Sequence, residues 1–260
     1  MNKITPILLL LALCLLSEPF RAQIKKIHPN AKSPYVEVLM WHDVIKPVRG
    51  NEKEVWFDTT VAELKAQFAI IKRNRINVIS LAQLYKHLSE GAPLPPRPMV
   101  LTFDDNNLGL YKNAFPLLKQ YSYPATLFVH TNFVGVTTSK DHCTWSQLKE
   151  MQESGLVTIQ GHTCSHPADL RLLPTPEIDK ELRDSKKLME EHMNEPVIAF
   201  AYPEGKYDDK TARMTSEAGY KMAFTEDWGS VGASRNMMLL HRYSIHKRFN
   251  QAIKDLVEAY

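Results

Sequence analysis

The residues in this sequence best suited to chemistry are two adjacent aspartates, Asp104 and Asp105, and two histidines four positions apart, His162 and His166. Adjacent carboxylates that close an apolar run cannot enter a core without a cation or hydrogen-bond donors, because an unpaired buried charge is costly. Two imidazoles at this spacing can reach one metal ion, and imidazole suits Zn²⁺ and its neighbours in the series. One carboxylate with two imidazoles makes a three-ligand site that keeps a position open for water, and the second carboxylate is then placed to act as general base. Each half also has a plainer alternative: an aspartate capping the following helix, and two ordinary hydrogen-bonded histidines. The helical metalloprotease motif is excluded, since no Glu follows His162 and Pro167 disfavours helical geometry at His166.

Such groups need a frame that brings them together. His42 follows the strand-like run 36–41 (VEVLMW), the aspartates close 99–103 (MVLTF), and His162 follows Leu156 to Gln160 with one glycine between. Short β-type runs alternate with amphipathic helical stretches along the chain, the pattern of parallel strands joined by crossover helices. Further strands are expected at 77–79, 125–129, 197–202, 221–225 and near 242–245. Helices are expected at about 61–71 (capped by Asp58 or Thr59), 81–88, 111–120, 145–154, 176–192 and 209–218. In parallel α/β folds the carboxyl ends of strands converge on one rim, so His42, Asp104, Asp105, His162 and His166 are expected on it together.

The chain has 260 residues, 44% hydrophobic and 23% charged, enough for one substantial core. Residues 1–22 read as a signal peptide: Lys3 gives a positive flank, Ile7 to Leu16 is apolar, and cleavage is expected between Ser17 and Gln23. The apolar run is too short for a transmembrane helix, which needs roughly 18 residues or more. Leu13 before Cys14 argues against lipid attachment. Residues 23–35 read as a linker and 36–260 as a single domain, in an exported protein of the periplasm, cell surface or extracellular space. Cys143 and Cys164 remain in the mature part; a disulfide is open to them, and two small separate residues are the favoured reading. A net charge of +3 without a long Lys/Arg cluster argues against a nucleic-acid partner.

The runs LTFDD, SGLVTIQGHTCSHP and FAYPEGKYDD resemble the successive motifs of the polysaccharide deacetylases, the chitooligosaccharide-deacetylase homology domain or carbohydrate esterase family four. The similarity covers about Val36 to Ile245, and the opening VLMWHDV is similar to the branch of poly-β-1,6-N-acetylglucosamine deacetylases of biofilm exopolysaccharides. The resemblance implies a distorted (β/α) barrel of about seven parallel strands with outer helices, in a single domain. It implies Asp105, His162 and His166 as metal ligands, Asp104 as base and His42 as acid. Zn²⁺ is the first choice, with Ni²⁺, Co²⁺ or Fe²⁺ as alternatives. The substrate implied is an N-acetylated polysaccharide; an O-acetyl esterase of xylan type and a weakly catalytic carbohydrate-binding protein are the alternatives.

Three departures from the family pattern stand out. Asn106 replaces a glycine, and must meet any left-handed backbone requirement there. Ala201 stands where members often carry the arginine that holds the base, and Arg242 is the candidate to replace it. Glu204 stands where a tyrosine is usual, so its backbone N–H would serve the oxyanion while its carboxylate opposes the charge. Trp41, Tyr202 and Trp228 are candidates to stack on sugar rings, with core packing the alternative for each.

Overall fold

The structure is a computed structural model that describes residues 24–32, 35–46 and 57–260. The signal peptide expected at 1–22 lies outside these residues. Strand β1 (Glu37–Trp41) is buried at every position. It is followed by β2 (Val44–Ile45) and β3 (Thr59–Thr60), which pair with each other as a small parallel ribbon. Helix α1 (Val61–Arg73) turns Leu64, Phe68 and Ile71 inward, at the i, i+4, i+7 spacing expected. Its cap is Thr60, not Asp58 or Thr59: Thr60 and Glu63 form a reciprocal capping box, while Asp58 binds Lys140.

The alternation then runs through β4 (Asn77–Val78), α2 (Leu81–Glu90), β5 (Pro98–Phe103), α3 (Phe115–Tyr121), β6 (Ala125–Val129), α4 (Trp145–Glu153) and β7 (Val157–Gly161). It continues with α5 (Thr175–Met193), β8 (Ala199–Ala201), α6 (Asp209–Glu217), β9 (Met222–Phe224), β10 (Tyr243–Ser244) and α7 (Ile245–Glu258). The helix expected at 111–120 is composite, because Leu110–Ala114 is a π-turn and the α-helical part begins only at Phe115.

All sheet pairings are parallel, in the order β10-β1-β5-β6-β7-β8-β9, with β4 beside the first half of β5. The ends of this order approach through 237–244. Leu240 exchanges backbone hydrogen bonds with Ala223 and Thr225 beside β9, and β10 pairs with β1. The result is the distorted barrel of about seven parallel strands with outer helices. Strands buried on both faces explain the near-continuous apolar runs, as in MVLTF and ATLFV.

The β2–β3 ribbon falls outside the expected strands, and two further segments depart from expectation. Helix α7, absent from the sequence reading, seals the first strand with Ile245, Phe249, Ala252, Ile253 and Leu256. Of the residues expected as a linker, Ile27 and Ala31 are buried in the same core, and His28 N–H donates to Leu88 O at 2.7 Å. Cys143 is buried, Cys164 half-buried, and both thiols are free. Among the described residues no helix is long and apolar enough to cross a membrane.

Candidate active site

Strand register fixes the rim. β1 and β5 pair Trp41 with Phe103, so His42 and Asp104 emerge side by side, and Asp104 N–H donates to Trp41 O at 2.9 Å. β6 and β7 pair Val129 with Gly161, which places His130 beside His162. Gly161 has no room for a side chain, since a β-carbon would stand 2.6 Å from the Tyr220 hydroxyl oxygen.

Asp104 is almost fully buried and faces Arg242, which arrives from just before β10. The guanidinium is also buried. Its Nη1 and Nη2 donate to Asp104 Oδ1 and Oδ2, both at 2.8 Å, and its Nε donates to Thr225 O at 3.0 Å. The bidentate fork matches a carboxylate better than an ammonium would. Burial alone would raise the Asp104 carboxyl; the charge and hydrogen bonds of Arg242, with His162 and His42 nearby, hold it below the usual range. Ala201, on β8, contributes only a backbone carbonyl to this region.

Asp105 turns the other way. Its backbone and that of Asn106 are left-handed, φ 74° and 41°, so Asn106 does take the conformation its position demanded. Asn106 is buried and its Oδ1 accepts the His130 N–H at 3.2 Å. The aspartates cap no helix, for the next helical turn has Gly109 at its N-cap and no side-chain cap bond. Asp105 Oδ1 is a buried oxygen with no hydrogen-bond donor. His162 Nε2 stands 3.4 Å from it and His166 Nε2 3.5 Å.

Those separations test the fit of a metal. Two ligands of a tetrahedral ion with bonds of about 2.05 Å lie about 3.3–3.4 Å apart. One ligand atom from each of Asp105, His162 and His166 lies within 4.8 Å of the others. His162 Nδ1 contacts Ala201 O at 2.7 Å, which assigns the proton to Nδ1 and turns Nε2 toward Asp105. An orphaned carboxylate oxygen facing two imidazole nitrogens is a donor set that fits a divalent ion. Burial would raise Asp105, but the close approach of His162 and the charges of His42, His162 and His166 hold it far below the usual value. His162 is raised: burial acts against it, and the two aspartates outweigh burial. His166 is lowered, by burial and then by His162.

His42 is half-buried, its Nδ1 has no partner, and its ring lies 5.2 Å from that of Phe57. Glu204 is exposed and held at φ 55° in the turn Pro203–Gly205, near enough to His166 to act on it by charge. Trp41 and Tyr202 are wholly buried, Trp41 stacked on Phe103 at 5.3 Å, so both pack the core and neither can meet a sugar. Trp228 is 59% exposed, with the Arg248 guanidinium 4.6 Å from its ring centre.

Sequence reasoning missed two neighbours of this cluster. His130 is a rim histidine immediately after β6, and its place after an apolar strand was the available signal. Its Nε2 lies 4.0 Å from Asp105 Oδ1; burial and then the nearby histidines, against the pull of Asp105, lower it to about 3. Lys140 joins Asp43, the residue after His42, at 3.0 Å and also pairs with Asp58. Phe57, His130, Phe133, Lys140 and His166 border a cleft of about 400 Å³ that opens on Asp105.

A parallel barrel whose polar groups gather at the carboxyl ends of its strands is an enzyme-type (β/α) barrel. Within that class the chain belongs to the polysaccharide deacetylase family, whose profile matches residues 91–223, just over half of the sequence. The chain is 29% identical over 220 residues to YxkH of Bacillus subtilis, covering 85% of this chain and 74% of that one. It is 28% identical over 193 residues to the poly-β-1,6-N-acetyl-D-glucosamine N-deacetylase of Staphylococcus epidermidis, covering 71% of this chain and 66% of that one. It is similar in structure to the Streptococcus pyogenes deacetylase PplD in complex with acetate, with a TM-score of 0.75 and 27% identity over 87% of this chain and 98% of that one.

Proposed function

We propose that this chain is an exported, metal-dependent hydrolase that removes N-acetyl groups from an N-acetylglucosamine polysaccharide of the poly-β-1,6 type, with chitin or peptidoglycan-type glycan as the wider class. Asp105, His162 and His166 would hold the ion, Zn²⁺ first on ligand type, with Ni²⁺, Co²⁺ or Fe²⁺ suited to the same donors. The observation that carries this reading is the donor-less Asp105 Oδ1 facing two imidazole nitrogens, next to a second carboxylate neutralised by Arg242. The resemblance to the S. epidermidis enzyme supports the choice of glycan.

When bound, the ion supplies Lewis acidity, lowering the pKa of a water and polarising the acetyl carbonyl. Asp104, kept ionised and oriented by Arg242, takes the proton of the attacking water. The Glu204 backbone N–H faces the negative charge that develops on the acetyl oxygen. His42, protonated, donates to the departing nitrogen, because an amine leaves poorly as its anion. The products are acetate and a free glucosamine unit.

The test is release of acetate and free amine from partially acetylated β-1,6- and β-1,4-linked glucosamine oligomers, with O-acetylated xylan alongside and metal content measured on the same preparation. Turnover that needs metal, and that falls at least 100-fold in both Asp104→Asn and His42→Ala, is the expected result. Sugar binding without turnover in fully metal-loaded protein would leave a binding protein instead, and cleavage of xylan acetate alone would leave an esterase.

A further inference from the structure

The loop that carries His162 and His166 is held by a residue outside the rim. Helix α5 directs the half-buried Glu181 at it, and one carboxylate takes three donors. Oε2 accepts Cys164 N–H at 2.8 Å and Ser165 N–H at 2.9 Å, and Oε1 accepts the Ser165 hydroxyl at 2.6 Å. Among the described residues no ion pair to a Lys, Arg or His competes for this carboxylate; its polar contacts go to two successive residues of the loop.

Those residues lie between two backbone positions of left-handed φ, Thr163 at 69° and His166 at 51°. A β-branched residue in that region is an outlier that persists only where its surroundings impose it. The two histidines are secured differently. His162 is fixed by its own strand: its N–H donates to Val129 O at 2.9 Å and its Nδ1 contacts Ala201 O. His166 has no strand. Its N–H donates to Thr163 Oγ1 at 3.0 Å, across the segment that Glu181 grips, and Pro167 follows it.

We infer that Glu181 is a positioning residue for the metal site, setting the Cys164-Ser165 turn so that His166 Nε2 faces Asp105 beside His162. The inference rests on the metal-dependent reading above for its consequence, and on the hydrogen bonds alone for its structural content. Partners that orient ligands from behind, when lost, typically weaken metal binding about 10- to 100-fold.

The experiment compares Glu181→Ala, Glu181→Gln and Glu190→Ala with the unmodified protein. Glu190 lies on the same helix and anchors Lys186 and the Val197 N–H, away from the loop, so its variant reports helix damage alone. Zn²⁺ affinity is read by chelator competition, ligand geometry by the visible spectrum of the Co²⁺ form, and loop order in metal-free protein by amide hydrogen exchange. Glu181→Ala should bind Zn²⁺ about 10- to 100-fold more weakly and alter the Co²⁺ spectrum. Its exchange should quicken at 164–166 and stay unchanged at 162. Glu181→Gln, which keeps an acceptor for the two amides, should lie near the unmodified protein, and Glu190→Ala should leave affinity unchanged. Unchanged exchange at 164–166 in Glu181→Ala would overturn the inference, as would unchanged Zn²⁺ affinity there. If the unmodified protein took up no metal, the metal-dependent reading would fall, and the exchange data would still decide what Glu181 holds.

Discussion

Replacing Arg242 with methionine puts the Asp104 environment to the sharpest test. Arg242 is inaccessible to solvent, and its guanidinium makes the two 2.8 Å bonds to Asp104, one to Thr225 O and a 3.3 Å contact with Thr102 Oγ1, within 5.5 Å of the Phe128 ring centre. Methionine fills much of the stem but leaves a buried carboxylate with no counter-charge, a loss of about 3–5 kcal/mol by the measure of other buried pairs broken on one side. Asp104→Asn alone leaves the guanidinium two oxygen acceptors and one amide oxygen, and is expected to cost about 2–3 kcal/mol. The double variant contains neither charge, so its loss should fall short of the sum by about 2–3 kcal/mol. Urea unfolding at pH 7, with the slope checked for constancy, measures all four corners. The Asp104 carboxyl is depressed in the folded state, so its stabilising contribution is present above the unfolded value near 4 and is lost as pH falls through the folded value. The coupling should therefore be the same at pH 5 and pH 7. Two single losses below about 1 kcal/mol that simply add would refute the account of a charge held in place by Arg242.

Glu37, the buried first residue of β1, has two carboxylate oxygens without donors, and burial followed by the charge of Asp255 raises it to about 8. Its contribution to stability is complete below the unfolded pKa and is lost as pH rises toward 8, so Glu37→Gln should gain on the unmodified protein between pH 5 and 8, by roughly 4 kcal/mol at most. Parallel melting curves across that range would contradict this. Zn²⁺ at about 100 times its dissociation constant should stabilise the unmodified protein by about 2.7 kcal/mol in thermal unfolding, and Asp105→Ala or His166→Ala should abolish the shift. Glu204→Gln keeps the backbone N–H and removes an exposed carboxylate that acts by charge on His166; if the proposed oxyanion forms beside that N–H, kcat should rise about two- to five-fold, on the scale of an exposed charge pair, and a fall would assign the side chain a positive role.

Strands β1, β5 and β6 were legible because each is an apolar run followed at once by a polar residue, and parallel strands buried on both faces leave that signature; the two-residue β2 and β3, one of them Thr-Thr, leave none. Short-range capping was harder: Asp58, Thr59 and Thr60 all suit a cap, and only Glu63 three residues after Thr60 distinguishes it. Helix α7 was legible and was passed over, since Ile245, Phe249, Ala252, Ile253 and Leu256 keep helical spacing throughout. The pairing of Arg242 with Asp104 could be suggested from sequence only by a missing arginine elsewhere, because it spans 138 positions and depends on barrel closure. Glu181 left no signal, since its carboxylate serves backbone N–H groups, and any residue types could have occupied the positions that donate them.

The asymmetry between Asp104 and Asp105 is the step from fold to chemistry. They are neighbours in sequence, yet the one directly after β5 has its carboxylate turned to Arg242, and the next, at φ 74°, has its carboxylate turned to the histidines. Successive residues of a strand point to opposite sides, and the left-handed step after Phe103-Asp104 extends that divergence. One carboxylate is thereby given a fixed cation that keeps it charged at neutral pH. The other is given two neutral-capable imidazoles and an oxygen with no donor, an environment that an exchangeable divalent ion would complete. If both aspartates faced Arg242, no donor set would remain for an ion; if both faced the histidines, the base would share its charge with the ligand. The proposed division of labour therefore depends on the backbone turn between residues 104 and 106, which makes Asn106, buried and bonded to His130 N–H, as much a part of the site as the groups that would react.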